Sequence, residues 1–461
     1  MIADTPGAEN TLVVRGAIGM LTGRAGAAER GAGDIRIVDG RIAEIGELPP
    51  RAGERTLDAS GCVIYPGLVN THHHLFQSVL KGVRTGIDLR LEAWLREIPY
   101  TYWHRLDEQA LEVAATIGIA ELLLSGTTTV ADHHYIFDER YGFDPAEVIL
   151  EVARKLGVRF VLCRGGATVA RDLDGAGMQA MPVETLPTML RRVGDLARRH
   201  NDPAPDAMRR IVFAPTTPTF SVRVEELALI AAAAREMGLR MHTHMSETQV
   251  YVDYCLEMYG RRPIQWAAEN DWLGEDIWFA HLVHLDESEL QLLAQTRTGM
   301  AHCPQSNCRL GSGIAPATRL AQLGGRVSMG VDGAASNESA DMINEMHCAW
   351  QVHRAILGPD AVSVEEVVRW ASAGGAEVLG LGAVGTIEVG KSADLAIFEL
   401  GQPRYAGLHD PLIGPVAGGG GARPRHVLVG GRPVVADGTI PNLDLAALAS
   451  RAAGVVRRLV A

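Results

Sequence analysis

From Val63 onward the chain repeats one pattern, a short apolar run followed by a helical run. "CVIYPGLVNTHHH" is strand-like, "DEQALEVAATIGIAELLLSG" has helical period, and "TTTVADHHY" is strand-like again. "PAEVILEVARKLG" and "VEELALIAAAAREMG" read as helices before the strands "VRFVLCRGG" and "LRMHTHMSE". The strands "IWFAHLVHL", "GMAHCPQSN" and "RVSMGVDGA" follow, separated by the helices "DESELQLLAQTR" and "ATRLAQLGG". Parallel neighbours need a crossover long enough to return the chain to the same end of the sheet, and a helix supplies it. The alternation therefore predicts a parallel sheet. About eight such strands predict a closed (β/α)8 TIM barrel rather than an open sheet.

The two ends of the chain look alike. "IRIVDGRIAEIG" is a pair of alternating runs around Asp39-Gly40, and "HVLVGGRPVVADG" is a pair around Gly430-Gly431. Both dipeptides are hairpin signals. With "ADLAIFEL" as a further strand, the ends are expected to combine into one small β-sandwich. The expected division is 1–65 with 388–445 for that unit, 66–387 for the barrel, and 446–461 for a C-terminal helix.

Composition narrows the partners. The net charge is −12 and no Lys/Arg run is long enough to track a phosphate backbone, so nucleic acid is disfavoured. "MIADTPGAEN" lacks the basic and apolar regions of a signal peptide, and no apolar run reaches spanning length. A cytoplasmic protein without a membrane partner is expected. Six scattered cysteines, none in Cys-x-x-Cys spacing, read as reduced.

Function in such a barrel gathers at the C-terminal ends of the strands. In "NTHHHLFQ", period-two geometry sends His72 and His74 to one face and His73 to the other, packed outside the barrel. His72 and His74 can then share a metal. His244, in "HMSE", is a candidate third nitrogen ligand and Asp332, in "GVDG", a candidate oxygen ligand. Three nitrogens and a carboxylate with room for water suit zinc, with iron as the alternative. Glu247, three residues past His244, is placed for proton transfer beside such an ion.

Together "PGLVNTHHHL", "HMSE", "AHLVH" and "GVDGAASN" resemble the amidohydrolase superfamily, in its aminohydrolase and chlorohydrolase branch. The likeness spans nearly the whole chain. It implies a distorted (β/α)8 barrel with one divalent metal held by His72, His74, His244 and Asp332. It also implies Glu247, His281 and Asp332 as the catalytic groups, and a homo-oligomer. His242, His284 and His302 do not match ligand positions and read as supporting residues. The implied reaction is hydrolytic deamination. A water activated by the ion attacks an amino-bearing sp² carbon, Asp332 carries a proton to the leaving nitrogen, Glu247 protonates the ring nitrogen, and His281 orients the nucleophile.

"NTHHHLFQSVLKG", "ADHHY", "LCRGGAT", "HCPQSNCRLGSG" and "GLHDPLIGPVA" narrow the resemblance to deaminases of oxidised pterins and purines, isoxanthopterin-type first and 8-oxoguanine-type second. A small heterocycle carrying a 2-amino group is the implied substrate. Gln77 can donate to and accept from its amide-like edge. Trp94, Arg164 and His133 are the further candidate substrate contacts. Where guanine deaminases carry an Arg-Phe pair, "APTTPTFS" has Thr216 and Thr217, which argues against plain guanine. A triazine-type aminohydrolase is the runner-up. A barrel that only binds is a remote alternative, because the full set of ligand and acid-base residues is present.

Overall fold

The computed structural model describes residues 11–171 and 180–460. The N-terminal segment read as no signal peptide lies outside the described residues. Eight strands close into a barrel: β1 (Leu68–Asn70), β2 (Thr127–His134), β3 (Arg159–Arg164), β4 (Arg209–Phe213), β5 (Met241–Met245), β6 (Ile277–His281), β7 (Gly299–His302) and β8 (Arg326–Met329). All neighbours run parallel. The seams β4–β5 and β8–β1 are each held by a single residue pair, Phe213–Met241 and Met329–Asn70, and there the ring departs from regularity.

The run "CVIYPGLVN" is two strands rather than one. Cys62–Pro66 pairs antiparallel with Leu395–Glu399 in a six-stranded sheet, and the barrel begins only at Leu68. Gly67 is the joint. A Cβ there would sit 2.2 Å from Thr128 Oγ1, so the close passage of the chain beside β2 admits only glycine.

The six-stranded sheet joins strands from both ends of the chain, and a four-stranded sheet (Thr11–Arg15, Asp34–Val38, Arg41–Gly46, Arg55–Asp58) covers it. Val14, Ile35, Ile37, Ile64, Leu395 and Ile397 form their shared core. Each hairpin turns on two left-handed residues, Asp39 (φ 49°) with Gly40 (φ 78°) and Gly430 (φ 53°) with Gly431 (φ 72°). That geometry matches the right-handed twist of the flanking strands. Helix α1 (Glu108–Leu123) packs outside the barrel, and the final helix, Leu445–Val460, lies against it with Arg451 bonded to Glu112 at 2.7 Å. Among the described residues no helix is long and apolar enough to cross a membrane. All six cysteines are free thiols.

Candidate active site

The residues after β1, β5, β6 and β8 meet at one mouth of the barrel. The His72 and His74 rings are 4.8 Å apart, centre to centre, and the His244 ring is 4.9 and 5.2 Å from them. Asp332 Oδ1 lies 3.3 Å from His72 Nε2 and 3.4 Å from His74 Nε2. One ring nitrogen each of His72, His74, His133 and His244 falls within 4.8 Å of all the others, and His72, His281 and Asp332 form an overlapping group.

Hydrogen bonds behind the rings fix their tautomers. His74 Nδ1–H donates to the His133 carbonyl at 2.7 Å, and His244 Nδ1–H donates to the Thr216 carbonyl at 2.5 Å. His242 Nδ1–H donates to the Trp278 carbonyl at 2.9 Å, so its Nε2 accepts from His72 Nδ1–H at 2.8 Å. All three facing Nε2 atoms therefore carry lone pairs. Those of His74 and His244 are 3.1 Å apart with no proton to share, a repulsive contact unless a cation lies between them. His72 Nε2 is buried without a hydrogen-bond partner. Burial holds the three imidazoles below the usual histidine range and hence neutral, the form that binds metal. Burial alone would raise the Asp332 carboxyl. The histidines around it, His72 first, reverse this and hold it well below the usual carboxylate range. Three imidazole nitrogens and one carboxylate oxygen fit a divalent cation.

Glu247 and His281 stand beside this set. His281 Nε2 is 3.5 Å from Glu247 Oε2, and His281 Nδ1–H donates to Asn307 Oδ1 at 3.0 Å. Burial raises the Glu247 carboxyl to about 7, with His281 opposing the shift, and among the described residues Glu247 Oε1 has no hydrogen-bond partner. Four non-glycine residues at this rim have left-handed backbone: Ser246 (φ 52°), His281 (φ 74°), Leu282 (φ 54°) and Asp332 (φ 60°). Each such residue costs about 1–3 kcal/mol and persists only where its surroundings hold it.

The two glycines of "GVDG" have steric reasons. A Cβ on Gly330 would meet His72 Cβ at 2.6 Å, and one on Gly333 would meet Gln77 Oε1 at 1.9 Å. Asp332 Oδ2 accepts from Ser306 Oγ at 2.6 Å and Ser336 Oγ at 3.1 Å. His73 points away from the mouth towards α1, where its Nε2 lies close to Gly118. Its Nδ1–H reaches the Asp332 main-chain carbonyl at 2.5 Å, so it braces the ligand loop from outside the ring.

A cavity of about 790 Å³, counted out to its open mouth, sits over these groups. Gln77, Trp94, Tyr135, Thr216, Thr217 and Phe220 are on its walls. Gln77 Oε1 is buried without a partner, and the Tyr135 hydroxyl lies against the Gln77 side chain. Trp94 is pinned by a hydrogen bond from Nε1 to the Ala335 carbonyl at 3.2 Å.

Two of the sequence candidates for substrate contact are placed elsewhere. Arg164 is 2% exposed, stacked 4.0 Å over Phe137, and bonded through both terminal nitrogens to Glu184 at 2.5 and 2.9 Å. A guanidinium held in that fork has no reach into the cavity. His133 stacks on His244 at 4.9 Å and donates from Nε2 to the Ala214 carbonyl at 2.8 Å, leaving Nδ1 among the ligand nitrogens rather than on the cavity wall. His284 donates to the Ser312 carbonyl at 2.9 Å and His302 faces His353 at 3.2 Å, both away from the ligand set. Tyr135, Ser306 and Asn307 went unread in the sequence. Their only signal was position, in the polar runs directly after strand ends.

The family model of the amidohydrolase family matches residues 63–434. The chain is 48% identical to isoxanthopterin deaminase of an unknown prokaryotic organism, over 97% of each chain. It is 38% identical to 8-oxoguanine deaminase of Pseudomonas aeruginosa, over 93% of this chain and 95% of that one. Among solved structures it superposes, with a TM-score of 0.90 and 27% identity, on the atrazine chlorohydrolase TrzN of Arthrobacter aurescens TC1 complexed with zinc, covering 96% of this chain and 100% of that one. An eight-stranded parallel barrel, a histidine-rich ligand set at its mouth and matches of this length lead to one conclusion: the chain belongs to the amidohydrolase family.

Proposed function

We propose that this protein is a metal-dependent hydrolytic deaminase of an oxidised pterin of the isoxanthopterin type, replacing the 2-amino group by oxygen with release of ammonia. One observation carries the reading: a set of lone pairs fit for a divalent cation, an acid-base pair and an unpaired amide oxygen all face one cavity. We assign His72, His74, His244 and Asp332 as the ligands of a single zinc ion, which when bound supplies an activated water as nucleophile.

The protein's own groups do the rest. Glu247, protonated near neutral pH, donates to the ring nitrogen beside the amino-bearing carbon. His281, its Nδ1–H held by Asn307, presents a lone pair at Nε2 that orients the attacking water. Asp332 takes one proton of the water and passes it to the departing nitrogen; as the C–O bond forms and the C–N bond breaks, the remaining hydroxyl proton returns to Glu247 and ammonia leaves. Gln77 and Tyr135 hold the amide edge of the ring, and Trp94 closes a flat wall beside it. The 48% identity to an isoxanthopterin deaminase supports the pterin, and the 38% identity to an 8-oxoguanine deaminase supports 8-oxoguanine, giving urate, as the second substrate to test.

We also assign 11–66 with 388–444 to the β-sandwich, 68–387 to the barrel and Leu445–Val460 to the closing helix, and expect a cytoplasmic homo-oligomer. The deciding experiment is an ammonia-release screen over isoxanthopterin, 8-oxoguanine, guanine and aminotriazines with the zinc-loaded protein. Isoxanthopterin should give the highest kcat/KM. A triazine as best substrate would replace the pterin assignment, and no release from any of them would refute the deaminase.

A further inference from the structure

The short helix α2 (Pro304–Arg309) spends three successive residues on three different parts of the molecule. The Gln305 main-chain N–H donates to Glu345 Oε1 at 2.9 Å, and Gln305 Nε2 donates to Glu345 Oε2 at 2.5 Å. Ser306 Oγ donates to Asp332 Oδ2 at 2.6 Å and sits 3.0 Å from Ser336 Oγ. Asn307 Oδ1 accepts from His281 Nδ1–H at 3.0 Å.

Glu345 belongs to α3 (Met342–Leu357) and is 0% exposed. Among the described residues no ion pair reaches it, from Lys, Arg or His. A carboxyl buried without a cation is costly, and an apolar side chain would fill the same space at no such cost. Both of its oxygens go to one residue, Gln305, whose own position fixes the two that follow. Asp332 and His281 are also the residues with left-handed backbone at φ 60° and 74°, which need outside ties to persist. Side-chain ties to both come from the same turn, beside the His73 bond to the Asp332 main-chain carbonyl. Among the described residues Asn307 Nδ2 has no hydrogen-bond partner, so the one side-chain hydrogen bond of Asn307 is the one to His281.

We propose that the turn Gln305–Ser306–Asn307, clamped by Glu345, is a positioning device that sets the Asp332 carboxylate and the His281 tautomer together, keeping the two proton-handling groups in register across two strands. The proposal rests on the reading of Asp332 and His281 given above. Asn307 is its most specific element. A carbonyl oxygen against Nδ1 forces the proton onto that nitrogen and leaves Nε2 as an acceptor. Without it His281 distributes between both tautomers, and only one of them can accept from a water.

The test is ring ¹⁵N–¹H NMR of histidine-labelled protein, zinc-loaded and at rest, combined with steady-state kinetics. Asn307→Ala should convert the His281 signals from a single Nδ1–H tautomer to a mixture. It should lower kcat about 10- to 100-fold with KM within about twofold and zinc content unchanged. Asn307→Asp, which keeps the acceptor, should restore the tautomer and most of kcat. Glu345→Gln should move both readouts in the direction of Asn307→Ala. An unchanged tautomer in Asn307→Ala, or no recovery in Asn307→Asp, overturns the proposal. Should Asn307→Ala fail to fold, Ser306→Ala decides through the kcat-against-KM split, and an unchanged kcat overturns it. The ring spectra need no substrate. A wild-type protein that deaminates nothing therefore refutes the proposed reaction, while the spectra still decide for or against the positioning turn.

Discussion

Glu247→Gln is the sharpest perturbation of the proposed chemistry. The substitution is isosteric, so the cavity keeps its shape and only the transferable proton is lost. Glu247 stands outside both groups of clustered ligand atoms, so zinc content should stay at the wild-type value. A positioned general acid contributes about 10²–10⁴-fold. That is about 3–5 kcal/mol of transition-state stabilisation at 1.36 kcal/mol per decade. The upper part of that range is expected, because Glu247 is buried and one of its oxygens has no protein partner to share it with. The pH profile gives an independent check. Burial raises this carboxyl to about 7, the acid form is the donor, and the acid form is lost as pH rises through that value. Wild-type kcat/KM should therefore fall about tenfold per pH unit on the alkaline side of neutrality, and the residual activity of Glu247→Gln should lack that limb. The assay is ammonia release from isoxanthopterin between acid and alkaline pH, with zinc measured on the same samples. Turnover within tenfold of wild type, or a variant that keeps the alkaline limb, would refute the assignment of Glu247 as the acid.

Four further substitutions separate the remaining roles. Gln77→Ala should lower kcat/KM at least about tenfold with zinc retained, the cost of a buried polar substrate edge left unpaired, and Gly333→Ala should do the same because its Cβ would collide with Gln77 Oε1 at 1.9 Å; unchanged kinetics in both would remove Gln77 from substrate binding. His242→Phe cuts the chain from Trp278 through His242 to His72 and should weaken zinc affinity about 10–100-fold in competition with a chelator. Arg164→Met should leave KM unchanged but lower stability in denaturant unfolding, by less than the about 3–5 kcal/mol of an unpaired buried charge because Arg192 still pairs with Glu184 at 2.7 Å; a raised KM with normal stability would return Arg164 to the substrate site.

The candidates for the ligand set are legible in the sequence because they follow from local rules. Two-residue spacing on an extended chain separates His73 from His72 and His74, the barrel's strand-end rule nominates His244 and Asp332 among several strand-end residues, and the family resemblance is what points to His281. The same rule also nominated Arg164 at the end of β3, and there it misled. What holds that guanidinium is Glu184, twenty residues on and outside any strand, a pairing that spacing does not encode. His133 shows a milder form of the same limit. Its strand position is right for the mouth, but its ring is drawn under His244 by a hydrogen bond to Ala214 on the neighbouring chain segment.

By itself the sequence determined the repeating strand–helix order, the two end hairpins and the candidates for the metal set, because periodicity, turn chemistry and residue type are properties of short stretches. Only the tertiary structure decided where the barrel begins, since Gly67 is set by the approach of Thr128. It alone decided which histidine nitrogens face inward, since each tautomer depends on a carbonyl or ring brought from a distant strand. It alone brought Ser306 and Asn307 onto Asp332 and His281. Local physics selects the chemical groups a chain has to offer, and long-range packing selects their partners, which decide what each group does.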